Sequence, residues 1–292
     1  MNKLFLIIIL LSIIGCSHKD EIINQEKLTG NDFNLFYNTP AKQLAKAVEN
    51  EKIEDISEIL KKKIVDPNFQ EPKFGSTLLS LAIVNDKYKS VQTLLKYGAN
   101  PNEHDNYRGT TPMIVAARND NPEYLVLLLK YNGDPNSREN GKVSKTSDNS
   151  RTTALNSAIS LSRIKTLEKV EILVNAGAQL NFSETDEFET PSPLSDAFVH
   201  KKLDVAFFLL NKGADFKKPL YSMIDGHKVY ILEGLRKMIL DTKTDDFKIK
   251  KKIINFLKQK GLDYNKEPIP DYILKDIKRK YPNDWEEYAT IY

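Results

Sequence analysis

Cysteine is almost absent from this chain of 292 residues: Cys16 stands alone. That excludes an intramolecular disulfide and a cysteine-based metal site. Histidine is scarce too, and His18, His104, His200 and His227 lie in separate segments with no His-x-x-x-His pair, so zinc has no support. There is no Gly-x-Ser-x-Gly elbow, phosphate-binding loop or dinucleotide fingerprint. No cofactor, metal or catalytic centre is therefore expected, and the chain reads as a non-enzyme. Charge of one sign is not in excess, with 43 basic against 40 acidic residues, which leaves no global field to draw nucleic acid. Long apolar runs are missing except at residues 4–14, and that one is too short to span a bilayer as a helix.

That run follows Lys3 and has the charge, length and position of an export-signal core. It closes on Ile13-Ile14-Gly15-Cys16, which resembles the bacterial lipobox. The resemblance implies a lipoprotein signal peptide over 1–15, with Cys16 becoming the lipid-modified first residue of a protein anchored in the cell envelope. Ser17 implies, on the same footing, sorting to the outer membrane with the body facing the periplasm. A body otherwise free of thiols suits such an oxidising compartment. Residues 16–37 are polar and read as a tether, with Phe33, Leu35, Phe36 and Tyr37 near its end as a hydrophobic lid on the folded body.

The rest of the chain is repetitive. Thr111-Pro112-Met113-Ile114-Val115-Ala116-Ala117 has a hydroxyl to cap a helix and a proline suited to its first position. Tyr124, Leu125, Leu128 and Leu129 then recur at helical spacing. Gly133 is placed to end that second helix in a left-handed conformation. Copies start at Lys42, Thr77, Thr111, Thr153, Ser192 and Lys218, at spacings of 35, 34, 42, 39 and 26. A pair of short helices cannot bury its apolar face alone, so the copies must stack.

These copies resemble the ankyrin repeat, a unit of about 33 residues with a Thr-Pro-Leu-His-x-Ala opening. The resemblance covers residues 38–266 and implies an all-α solenoid of about six helix pairs with hairpin fingers between them. The opening histidine is replaced by Ser80, Ile114, Asn156, Ser195 and Tyr221, which predicts weaker local hydrogen bonding. The last copy is out of phase. Its first helix is expected to run long, through Met223 to Ile239. A second runs from Phe247 to Lys260, with Lys248, Lys250, Lys251 and Lys252 on a solvated outer face. Residues 267–292, with Ile273, Ile277, Tyr281 and Trp285 four apart and Pro282 interrupting, read as a C-terminal capping helix.

In the ankyrin family partners bind the concave face formed by the hairpin tips and first helices, so insertions at the tips mark candidate contacts. Residues 137–151 form a mobile basic finger with Arg138, Lys142, Lys145 and Arg151. Residues 182–190 form an acidic one with Glu187 and Phe188. Tyr107 and Arg108 precede the best copy and are residue types that anchor interfaces. Solvated loops that merely pair with each other remain the bland alternative. The resemblance implies a monomeric, membrane-anchored protein-binding module. Its sharper form is an immunity protein that holds a secreted toxin, such as a type VI secretion lipase. A scaffold for envelope assembly is the alternative.

Overall fold

A computed structural model of the chain describes residues 24–141, 151–182 and 190–292. The helices come in pairs: α1 (Lys42–Glu49) with α2 (Ile53–Lys61), α3 (Leu78–Val84) with α4 (Tyr88–Lys96), and α5 (Pro112–Arg118) with α6 (Glu123–Lys130). Next come α7 (Ala154–Ser160) with α8 (Thr166–Asn175), and α9 (Pro193–Val199) with α10 (Leu203–Asn211). The first helices pack in one row from α1 to α9 and the second helices in a parallel row behind them. This two-layer solenoid is the all-α architecture the sequence predicts.

Each first helix starts where a hydroxyl can satisfy an open N–H. Thr77, Thr111, Thr153 and Ser192 accept from the amides of Ser80, Ile114, Asn156 and Ser195. The alanines behind them, Ala82, Ala116, Ala158 and Ala197, are fully buried and let neighbouring first helices approach closely. The loss of the opening histidine costs less hydrogen bonding than the sequence predicts. Asn156 donates to the carbonyl of Pro191 at 2.9 Å and to Asp196 at 2.7 Å, and the Ser195 hydroxyl donates to the carbonyl of Leu220. A shorter polar side chain at the same place reaches the next repeat.

A second repeating device registers the repeats. Asn68, Asn102, Asn136 and Asn181 each donate their side-chain amide to a carbonyl at the end of the next repeat's second helix. The same side chain accepts a main-chain amide two residues beyond, at 2.6 to 2.8 Å. Asn132, not Gly133, takes the left-handed conformation that ends α6 (φ 65°). Gly133 is glycine for space, since a Cβ there would lie 2.4 Å from the sulfur of Met113.

The sixth repeat departs from expectation. Residues 223–239 are not one long helix: Tyr221–Ser222 (β1) and Lys228–Val229 (β2) form an antiparallel hairpin, and a short α11 (Ile231–Arg236) comes after it. Asp225-Gly226 breaks the helix, with Gly226 at φ 85° and its amide bonded to the carbonyl of Met223 at 2.9 Å. Counted from its true N-cap, Tyr230, the sixth copy lies 38 residues after Ser192, close to the 39 between Thr153 and Ser192. The hairpin is its tip.

Its second helix, α12 (Asp245–Gln259), packs on α10. The tail then forms two helices rather than one, α13 (Asp271–Lys280) and α14 (Trp285–Ile291), parted at Pro282. Ile273, Ile277, Tyr288 and Tyr292 make a small core of their own. Lys250 is a further correction: it is wholly buried, not on the solvated face of α12. At the other end Phe33, Leu35 and Phe36 are buried beside α1.

Candidate protein-binding edge

The connections that precede α3, α5 and α7 stack along one edge, and each is shaped by a carboxylate. Glu71, only 1% exposed, accepts the amides of Lys73, Phe74 and Ser76 at 2.7 to 3.0 Å. Asp105 does the same for Tyr107, Arg108 and Gly109 at 2.8 to 3.0 Å. These turns then touch: the Asn106 amide donates to the carbonyl of Phe74 at 2.9 Å, and the rings of Phe74 and Tyr107 meet edge to face at 6.0 Å. Tyr107 remains 68% exposed, a large amphipathic surface on a rigid support.

Arg108 joins this tip to the next. Its carbonyl accepts the amide of Gly141 at 2.8 Å, and its guanidinium reaches Glu139 at 3.2 Å while staying half exposed. Glu139 is 1% exposed and also meets Arg118 at 2.9 Å and the Thr110 hydroxyl at 3.3 Å. Burial pushes the Glu139 carboxyl up, but the hydrogen bonds and charges of Arg108 and Arg118 outweigh it and hold the carboxyl below its usual range. By sequence alone Glu139 is no more than a minor acidic residue in a basic finger. In the structure it is the hub that clamps the finger's base to α5.

The finger's cations separate accordingly. Arg138 lies half-buried over the Phe182 ring at 5.4 Å, tying the third tip to the fourth. Arg151, expected as a finger contact, is packed inside the base instead, 6% exposed and donating to the carbonyl of Gly141 at 2.6 Å. Thr190 closes onto the carbonyl of Arg151 at 2.8 Å. Lys142, Lys145, Glu187, Phe188 and Cys16 lie outside the described residues. The structure thus brings Tyr107 and Arg108 together with Phe74, and sets Arg138 apart on Phe182.

Beyond Phe182, whose carbonyl accepts from Lys218 at 3.3 Å, the β1–β2 hairpin continues the edge. Sequence reasoning missed it. The signal was present as Asp225-Gly226 between Tyr221-Ser222-Met223-Ile224 and His227-Lys228-Val229-Tyr230, two runs rich in strand-forming residues. Among the described residues no group of three or more His, Cys, Asp or Glu side chains is placed to hold a metal ion. No described helix is long and apolar enough to cross a membrane.

Paired short helices in two layers, with projecting turns that touch from repeat to repeat, define a solenoid interaction module. Residues 44–139 match the family model of ankyrin repeats, in three copies, and the fold is an ankyrin solenoid. No curated protein matches the chain. Ankyrin repeats mark a module for protein–protein interaction.

Proposed function

We propose that the chain is a membrane-anchored binding protein, held through lipidated Cys16 on the periplasmic face of a bacterial outer membrane, that captures a folded protein along its tip edge. The carrying observation is the rigid Phe74–Tyr107–Arg108 surface, in which an exposed aromatic and an exposed guanidinium are fixed by Asp105 and Glu139. Such pre-organised anchors lower the ordering cost of binding. In its sharper form the partner is a secreted toxin, such as a lipase delivered between bacteria, and the chain is its immunity protein. Its place beside the membrane would let it meet such an enzyme at the substrate.

The test is chemical cross-linking and co-purification of the full chain from the periplasm of its host, with and without Tyr107→Ala and Arg108→Ala. A toxic effector should be captured, and each substitution should weaken capture about tenfold or more, as truncation of an interface anchor does. A captured envelope-assembly protein would instead establish the scaffold role. Capture that ignores both substitutions would remove this edge from the interface.

A further inference from the structure

The chain crosses the front of α3 before it builds the first repeat. The Lys73 amine, in the turn ahead of α3, donates to the carbonyls of Glu26 and Leu28 at 2.9 Å each, and the Asn85 side-chain amide, at the other end of α3, donates to the carbonyl of Asn31 at 2.9 Å. α4 lies behind α3, and α1 and α5 flank it. Residues 26–31 therefore run along the one side of α3 that the solenoid leaves open.

The grip is on the main chain. Among residues 26–31 only Leu28 packs on the core, and it is half-buried, whereas Glu26, Lys27, Thr29, Gly30 and Asn31 are exposed. Phe33, Leu35 and Phe36, just beyond, are buried beside α1 and fix the point from which the stretch departs. A segment held by exposed hydrogen bonds and one half-buried side chain opens at lower cost than the helices under it. Every extended chain presents such carbonyls, so Lys73 and Asn85 do not select this one by its sequence. Lys73 also borders the candidate edge, with its amine 5.1 Å from the centre of the Phe74 ring.

We propose that residues 26–31 are an autoinhibitory strap. They cover the surface that carries the Phe74–Tyr107–Arg108 edge onto the front of α3. An extended segment of the protein partner, with an aliphatic side chain in the place of Leu28, displaces them and takes over the bonds of Lys73 and Asn85. This rests on the reading of that edge as the protein-binding site. With the strap down the binding-competent form is a minor one, and the apparent affinity falls by its fraction. A strap joined to the fold competes at high effective concentration, so only a partner already seated on the edge displaces it.

The experiment follows the isotope-labelled full chain by NMR, as the parent and as Leu28→Asp and Asn85→Ala, two independent ways to release the strap. A synthetic peptide of residues 24–32 is the probe. Release should shift the amide resonances of α3 and leave those of α7 to α10 in place. In the Leu28→Asp chain, peptide at millimolar concentration should return them toward the parent positions. It should bind the parent about tenfold more weakly or less, and the Leu28→Ala peptide should restore nothing. Resonances of α3 that ignore release, or that the peptide does not restore, overturn the proposal and leave the edge reading standing. In the co-purification, Leu28→Asp should raise capture of the partner about fivefold or more, and capture no stronger than the parent's also overturns the strap. Capture that ignores Tyr107→Ala and Arg108→Ala overturns the edge reading and the strap with it.

Discussion

The second to fifth repeats and the C-terminal end solve the same problem by opposite means. In the repeats a few neutral groups are used again and again: a threonine or serine at the start of each first helix, and an asparagine reaching across each junction. At the C-terminal end each device is used once, and two of them are buried basic side chains. Arg236 donates to the carbonyls of Glu267 at 3.1 Å and Tyr264 at 2.9 Å and to the main-chain oxygen of Tyr292 at 3.2 Å. Lys250 donates to Met238 at 3.1 Å and lies 3.6 Å from the centre of the Tyr292 ring. A repeat with neighbours on both sides can copy its neighbour's contacts. The last one has no following copy, so the chain must fold back over it, and long side chains with many donors gather the returning carbonyls.

The largest effect should come from removing the hub of that closure. Arg236→Met takes this donor from the Glu267 and Tyr292 oxygens and leaves the Tyr264 carbonyl with the Glu267 amide alone, which should cost about 3 kcal/mol. Hydrogen exchange should show α13 and α14 opening while α3 to α8 stay protected. Uniform loss of protection would mean that the two regions unfold as one unit.

Lys250 supplies the next. Burial, then the charges of Arg236 and Lys251, push its amine down to about 6, against an ordinary value near 10.5. Since the folded value is the lower one, the unfolded chain binds the extra proton between those limits. The end should therefore strengthen as pH rises from about 6 toward 10, by at most about 1.4 kcal/mol per unit. Lys250→Met should flatten that dependence in urea melts of the C-terminal probe. An unchanged slope would show that the amine keeps its charge in the fold.

The same contrast explains what the sequence disclosed. The helix pairs were legible because capping residues and apolar spacing are local, and repetition multiplied a weak signal. The closure was not: Arg236 and Tyr292 are 56 residues apart, and no period relates them. Lys250 sat among Lys248, Lys251 and Lys252, where charge alone could not show that one of the four turns inward. At the candidate edge Tyr107 and Arg108 could be picked by type and position. Glu139 and Arg151 could not be recognised as buried, because their partners come from other segments. The hairpin at Asp225-Gly226 was a local signal overridden by the apolar spacing from Val229 to Ile239.

Within the repeats the effects should be smaller and alike. Asn102→Ala removes bonds to Asn132 at 2.9 Å and to the Asp134 amide at 2.7 Å, and should cost about 1–2 kcal/mol. Asn68→Ala should cost nearly the same, because the geometry recurs. A large inequality would break the picture of interchangeable junctions. Thr111→Ala and Thr77→Ala each remove one cap and should cost about 1 kcal/mol. Thr153→Ala should cost more, because its hydroxyl also donates to Asn156 at 2.5 Å.

Ile224→Ser should come last, with no change in the urea midpoint beyond about 0.5 kcal/mol, the usual range for surface substitutions. Its side chain is fully exposed and the turn is held by the Asp225 carboxylate and the Gly226 amide, neither of which is altered. In the repeats a residue's value to stability comes from the contact it shares with the next copy, whereas at this apex there is none to lose. A midpoint shift above about 1 kcal/mol would mean that Ile224 packs in the folded chain.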